Sequence, residues 1–433
     1  MPTLMEARVP AQARRRSPVS LMRSRGAGAI AGQLSQALAS FLLQIIAARS
    51  LGASGLGVFA LLYSAIILGT GIVSGFVGDS LTVLDRGDRR IRAALQNWCL
   101  LLSACAGLLG AIGAAASGLV GWVPAVIFGL AACVFMLEDT LRRLLMASMK
   151  FWALPAVDIT GLVAALVVLV LARLLTGGLS ITYLLIGLLA AQVVSSVVAV
   201  LMLPGQERRV ASPRPAEMVA VLRYGQWRSG HRAVRSLVLT VTRSLVTVAV
   251  GTALYGQLEA ARIYMAPALL MVTGLTSYLL PMYAARRKRS VRQSIGQADL
   301  FAGVLLAGTL LVGAVAVVLI PRFGPLVTGH HFHIETLAVV GWAAYAAATA
   351  TVMPYGSLAA VRAAQSRLFA FRLLDSTLSV VFAALLIFVL QTSASWVPFG
   401  LAAGTMIGGL LVRWAVLVPL RRTETSGVHA AAT

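Results

Sequence analysis

Arg228, His231, Arg232, Arg235 and Arg243 follow one another at offsets that suit one face of a helix. At 100° per residue the four arginines fall within an arc of about 80°, with Ser236 and Thr242 beside it. A stripe of guanidinium groups suits a diphosphate, because each group can donate two parallel hydrogen bonds to phosphate oxygens. A second stripe holds Gln33, Gln36, Ser40 and Gln44. Its amides and hydroxyl are partners for sugar hydroxyls. Asp158 and Asp375 stand in apolar surroundings and are candidates to carry a coupling proton. The candidate substrate-binding residues are therefore Arg232, Arg235, Arg243, Gln33, Gln36 and Gln44, with Asp158 and Asp375 as candidate coupling groups.

Each of these groups also has a plainer role. The arginines can pair with Asp158, Asp375 or Glu259 and lock helices together. The glutamines can serve as polar glue between helices. For the two acids, an ion pair with neighbouring arginines is the better reading. Glu138–Arg142 and Asp139–Arg143 have the i, i+4 order of helix ion pairs. Glycines 71 and 75, and 400, 404 and 408, make small-residue faces for close helix packing. His330, His331 and His333 sit together without acids and read as surface residues; no metal site or cofactor is expected. Cys99, Cys105 and Cys133 lie in apolar runs and behave as small hydrophobes. No nucleophile elbow, P-loop, zinc-protease motif or catalytic carboxylate pair occurs, so an enzyme such as a polymerase or ligase is disfavoured.

The elements that must position these residues follow from composition. Of 433 residues 59% are apolar and only 12% charged, and the mean hydropathy is +0.88. Soluble domains carry about a quarter charged residues. The chain is an all-α integral membrane protein. Apolar runs lie at about 26–48, 56–78, 94–116, 122–140, 153–173, 181–203, 229–250, 260–283, 299–320, 335–356, 368–390 and 396–419. Each is near the roughly 20 residues that cross a bilayer, and in lipid such runs must be helices. The first is too long for a cleaved signal segment and reads as a retained helix. Loops alternate between basic and base-poor: about 28 Lys and Arg fall on one side against Arg49, Arg173, Arg262 and Arg322 on the other. This bias puts both termini in the cytoplasm. It also accounts for most of the net charge of +22 without invoking nucleic acid.

The second six spans repeat the first. Gly52-Ala-Ser-Gly-Leu-Gly57 follows span 1, and Gly251-Thr-Ala-Leu-Tyr-Gly256 follows span 7. Ala147, Lys150, Phe151, Trp152, Ala153, Asp158 and Thr160 match Ala364, Arg367, Leu368, Phe369, Ala370, Asp375 and Thr377 in spacing and class. An even number of spans per repeat relates two six-helix bundles by a pseudo-two-fold axis along the membrane normal. The expected order is a basic segment 1–25, a bundle 26–203, a linker 204–228, a bundle 229–419 and a tail 420–433.

Ala47-Ala-Arg49-Ser-Leu51-Gly52-Ala-Ser-Gly-Leu-Gly57-Val-Phe59-Ala60-Leu61 resembles the first outer turn of Wzx-like polysaccharide and O-antigen flippases, of the multidrug/oligosaccharidyl-lipid/polysaccharide exporter superfamily. Leu141 to Ala147 with Lys150, and Gly251 to Ala261 with Pro267 and Pro281, resemble two further segments of that family. The resemblance implies a V-shaped cavity between two bundles. It also implies alternating access in the bacterial inner membrane, with a polyprenyl-diphosphate-linked oligosaccharide as cargo. The family's lipid II flippases carry two more C-terminal helices, so a sugar-polymer precursor is the expected cargo. Polysaccharide polymerase and glycosyltransferases are the implied protein partners. A major-facilitator-type small-solute porter and a drug exporter of the same superfamily are the alternatives; Asp85-Arg-Gly-Asp-Arg89-Arg90 faintly suits the former. A drug exporter would need few deep arginines.

Overall fold

The computed structural model describes residues 18–83, 88–205, 207–208, 218–286, 289–328, 332, 334–362 and 365–420. The His330, His331 and His333 cluster, most of the basic N-terminal segment and the C-terminal tail lie outside them. The described chain is helical: α1 (Pro18–Val73), α2 (Ser80–Val83), α3 (Arg89–Ala116), α4 (Trp122–Ala147), α5 (Ala153–Thr176), α6 (Ile181–Met202), α7 (Met218–Ala285), α8 (Val291–Thr328), α9 (Thr336–Arg362), α10 (Gln365–Ala384) and α11 (Val397–Leu411). Helix α7 begins at Met218, within the stretch 204–228 expected as a linker.

Ten of these helical stretches are long and apolar enough to cross a membrane. Two of them run far beyond one crossing: Ile30–Gly78 has 49 residues and Ser236–Val272 has 37. At about 1.5 Å per residue the first would be about 74 Å long, over twice a hydrocarbon core of about 30 Å. Each breaks at one glycine. Gly52 has φ 67° and ψ −172°, and Gly251 has φ 82° and ψ 166°. This backbone region is in practice open to glycine alone. Each long helix is thus two antiparallel-going crossings joined at a kink, and the total is the expected twelve.

Helices α1 to α6 pack into one bundle and α7 to α11 into the other, with α1 and α7 forming nearly all of the boundary between them. Outward-facing side chains are large and apolar, as a lipid surface demands: Leu175 and Val248 are each 83% exposed. The glycine faces do what their spacing suggests. A methyl group at Gly404 or Gly408 would collide with Ser379 or Asp375, so α11 lies directly against α10. The buried clusters also cross the boundary in both directions. Ala260 and Ile263 belong to the core of the first bundle, and Ala60 belongs to the core of the second.

Candidate functional site

In the first bundle α1, α4, α5 and α6 surround a cavity of about 350 Å³. Gln33, Gln36 and Ser40 of α1 line it, with Tyr63 from beyond the kink, Glu138 and Asp139 of α4, Asp158 of α5 and Gln192 of α6. Leu270 of α7 also contributes to the wall, so the cavity reaches the boundary with the other bundle. Ser40 and Tyr63 join through their hydroxyls at 3.0 Å. The Gln192 Oε1 atom is buried with no hydrogen-bond partner among the described residues, which leaves an acceptor turned to whatever fills the space.

Both oxygens of Asp158 are engaged. Arg142 Nη1 donates to its Oδ1, and the Ser35 hydroxyl donates to its Oδ2. Arg142 Nη2 reaches Gln36 Oε1 at 3.3 Å and the Gly32 carbonyl at 3.4 Å. The Arg142 side chain is 1% exposed and is the largest fully buried one among the described residues. A buried charge of this kind persists only when its donors are matched. Asp158 thus takes the ion-pair role, and the expected Glu138–Arg142 pair gives way to it. Among the described residues no hydrogen bond or ion pair reaches Glu138, although it is only 4% exposed. The Asp139–Arg143 pair forms as expected, at 2.8 Å. Helix periodicity cannot foresee Arg142's choice, because its winning partner lies on another helix. Glu138 is the residue that sequence reasoning set aside as structural.

The second polar group lies between the bundles. Glu259, 2% exposed, accepts from Arg262 Nε at 2.5 Å and from the Tyr255 hydroxyl at 2.8 Å, and forms an ion pair with Arg243, whose Nε lies 3.2 Å away. Arg262 then donates to Gln44 Oε1 across the boundary. Two guanidinium groups share one carboxylate, so the cluster keeps one positive charge. Arg243 lies eight residues before Gly251, about 12 Å along the helix axis and thus near mid-membrane. The deepest arginine of the stripe is therefore paired, as its plainer reading required, yet its partner is itself oversubscribed. Arg262, counted among the outer-side bases at the start of the span 260–283, is part of this cluster, because the helix resumes directly after the kink at Gly251 and carries Arg262 inward.

The repeat explains how the two stripes are related. The register that matches Gly52 to Gly251 also matches Gln33, Gln36 and Gln44 to Arg232, Arg235 and Arg243. Arg228, His231, Arg232 and Arg235 lie on α7, with their side chains outside the described set. The amide stripe faces the first bundle's own cavity through Gln33 and Gln36 and touches the boundary only at Gln44. Asp375 lies where α10 meets α11, against Gly408. A third group, in the second bundle, is neutral and self-contained: Arg413 donates twice to Asp299 at 3.1 Å, and Tyr355 donates to the same acid at 2.7 Å.

No family model matches the sequence, and comparison with curated proteins finds no match either. Solved structures do match. An inward-facing multidrug resistance MATE family transporter of the MOP superfamily superposes with a TM-score of 0.63 at 16% identity, covering 93% of this chain and 96% of its own. An outward-facing structure of such a transporter gives 0.61 at 16% identity, over 94% and 98% of the two chains. A MOP superfamily transporter from Pyrococcus furiosus, described as having a binding pocket of reverse polarity that suggests a different function, gives 0.60 at 16% identity, over 95% and 97%. This chain is a multi-span helical membrane protein with the two-lobe, twelve-crossing fold of these transporters.

Proposed function

We propose that the chain is a transporter that passes a lipid-linked oligosaccharide diphosphate across the bacterial inner membrane by alternating access, with both termini in the cytoplasm. One observation carries this reading. Across the repeat, positions that hold amides in the first lobe hold guanidinium groups in the second. The deepest of these, Arg243, joins Arg262 in a cluster with one positive charge to spare. Charged groups at such depth cost at least about 2.5–3.5 kcal/mol each on insertion scales, so their retention there favours a function.

In this reading the diphosphate enters between the lobes while its polyprenyl tail stays in lipid. Arg232 and Arg235 receive it first, and Arg243 with Arg262 hold it at mid-membrane, where phosphate oxygens compete with Glu259 for the same N–H donors. Gln44 offers an amide to the first sugar. An outside-positive potential favours exit of the anion, by about 2.3 kcal/mol per charge per 100 mV. The coupling role passes from Asp158, whose oxygens are occupied, to Glu138 in the first-lobe cavity.

A drug exporter of the same superfamily is the second reading. The observation in its favour is that same cavity, whose wall carries a buried carboxylate, Glu138, that no hydrogen bond or ion pair holds among the described residues, and so suits a cation. The experiment that separates them follows lipid-linked sugar in cells. Deletion should trap it in the cytoplasmic leaflet, and Arg243→Gln with Arg262→Gln should fail to restore export while still inserting. Normal glycan export in the deletion strain, with heightened sensitivity to cationic drugs, would transfer the assignment to drug export.

A further inference from the structure

The two lobes provide differently for the bases at the end of the molecule that carries the termini. In the first lobe acids or backbone acceptors accompany these bases. Asp88 stands in sequence between Arg86 and Arg89, and its carboxylate accepts from the Arg90 backbone N–H at 2.8 Å. Arg143 pairs with Asp139. Lys150 Nζ donates to the Met202 carbonyl at 2.7 Å and Arg208 Nε to the Leu203 carbonyl at 2.9 Å, closing the end of α6. The matching stretch of the second lobe, Arg286 to Arg292, holds five bases in seven residues and no acid. Among the described residues no ion pair reaches Arg286, Arg289, Arg292 or Arg362. The turn is nevertheless firmly built. The Arg289 N–H donates to the Arg286 carbonyl at 3.0 Å, and the Ser290 hydroxyl accepts from the Gln293 N–H at 3.3 Å. Arg362 Nη2 reaches over from the end of α9 and donates to the Arg289 carbonyl at 2.6 Å, while its Nε is buried with no acceptor among the described residues. The register that matches Ala147 to Ala364 puts the fully buried Leu145 at the place of Arg362.

Like charges drawn within a Debye length of about 8 Å repel, so a turn that recruits a further guanidinium is arranged for an anion. The helix running on from the turn narrows the choice of anion. Arg292, Gly296, Leu300, Gly303, Ala307 and Leu311 are all exposed and fall within an arc of about 100° on α8. A methyl group on Gly296 or Gly303 would meet nothing within 4 Å, whereas Leu300 and Leu311 stand out at 66% and 67% exposure. A shallow apolar groove therefore leads away from the bases. From Gly296 to Ala307 it is about 16 Å long at 1.5 Å per residue, about half of a 30 Å hydrocarbon core. A negative head with an apolar tail one leaflet deep is a phospholipid. We propose that this end of the second lobe binds an anionic phospholipid of the cytoplasmic leaflet, its phosphate at the Arg286–Arg292 turn and an acyl chain along α8. Only the choice of leaflet rests on the orientation proposed above, and the test is read without any cargo.

The purified full chain in mixed micelles is given phosphatidylglycerol or phosphatidylcholine, and the lipid retained per protein is counted by native mass spectrometry. Phosphatidylglycerol should be retained at least about fivefold over phosphatidylcholine, the worth of about one base at a membrane surface. Arg289→Gln with Arg292→Gln should abolish that preference. Arg89→Gln with Arg90→Gln, which removes the same charge from the first lobe, should leave it intact. Gly296→Leu with Gly303→Leu, which fills open space and alters no charge, should lose most of the retained lipid of either kind. Equal loss in the two arginine pairs would overturn the site by reducing it to general charge. Displacement of phosphatidylglycerol by an equal concentration of inorganic phosphate would overturn it in favour of a free anion. A glycine pair that changes the oligomeric state with lipid retention intact would overturn it in favour of a second copy of the chain. Should the glycine pair fail to fold, the exposed arginine pairs still decide. Selective retention in a chain that never moves lipid-linked sugar would keep the site and reject only the cargo.

Discussion

Glu259→Gln is the change that most sharply separates an anionic cargo from a cationic one. The glutamine keeps the side-chain shape and can still accept from Tyr255, but it removes the charge that Arg243 and Arg262 share at 3.2 and 2.5 Å. At charge separations of about 4 Å and an effective dielectric constant of about 20, each attraction is worth about 4 kcal/mol before desolvation. Breaking buried pairs costs about 3–5 kcal/mol in practice. Both guanidinium groups keep 16–18% of their surface exposed and Arg262 keeps Gln44, so the low end, about 3 kcal/mol, is the expected loss of stability. The cluster then carries two positive charges instead of one. For a phosphate about 6 Å away in a wet cavity with a dielectric constant of about 40–80, the extra charge contributes about 0.7–1.4 kcal/mol, a threefold to tenfold tighter grip. Binding of a short-chain prenyl diphosphate to the purified protein at low salt measures it, and the gain should shrink as salt is added. Unchanged or weaker diphosphate binding by a variant that elutes as the parent does would refute the anion-clamp reasoning.

Two further outcomes follow from the first lobe. Asp158→Asn leaves the Arg142 guanidinium buried without its counter-charge and should cost about 3–5 kcal/mol in a denaturation titration, whereas Arg142→Met combined with Asp158→Leu should recover most of that loss. Glu138→Gln removes a buried carboxylate that no hydrogen bond or ion pair holds among the described residues, Arg142 acting on it only through space, so stability should hold or rise slightly, while the response of transport to an imposed pH gradient disappears. Retained coupling in Glu138→Gln vesicles would return the proton-carrying role to another group.

Much of the architecture is legible in the chain because lipid imposes a length and a composition on every crossing. The basic loops give a second, independent count of the same crossings. The glycine pairs at 52/57 and 251/256 pointed to the repeat, and the structure shows why: each pair performs one kink and one backbone contact. Pairing choices were less legible. Arg142 sits one turn from Glu138 on α4 yet bonds to Asp158 of α5, because only there do Ser35, Gln36 and a Gly32 carbonyl complete its shell. Arg262 read as an outer-side base because hydropathy starts its span at about 260, whereas the helix resumes right after Gly251 and sets Arg262 about ten residues inside the membrane. Partners on different helices leave no trace in local periodicity.

The Arg142–Asp158 pair also constrains how the protein is made. The two residues are 16 positions apart, on successive membrane helices. At about 5–20 residues per second, the arginine leaves the ribosome roughly one to three seconds before its acid. During that interval the Arg142 guanidinium, near the end of α4, lacks the carboxylate that pairs with it in the folded protein. The native packing of α4 therefore waits for α5, whose acid closes the pair beside Ser35 and Gln36 of α1.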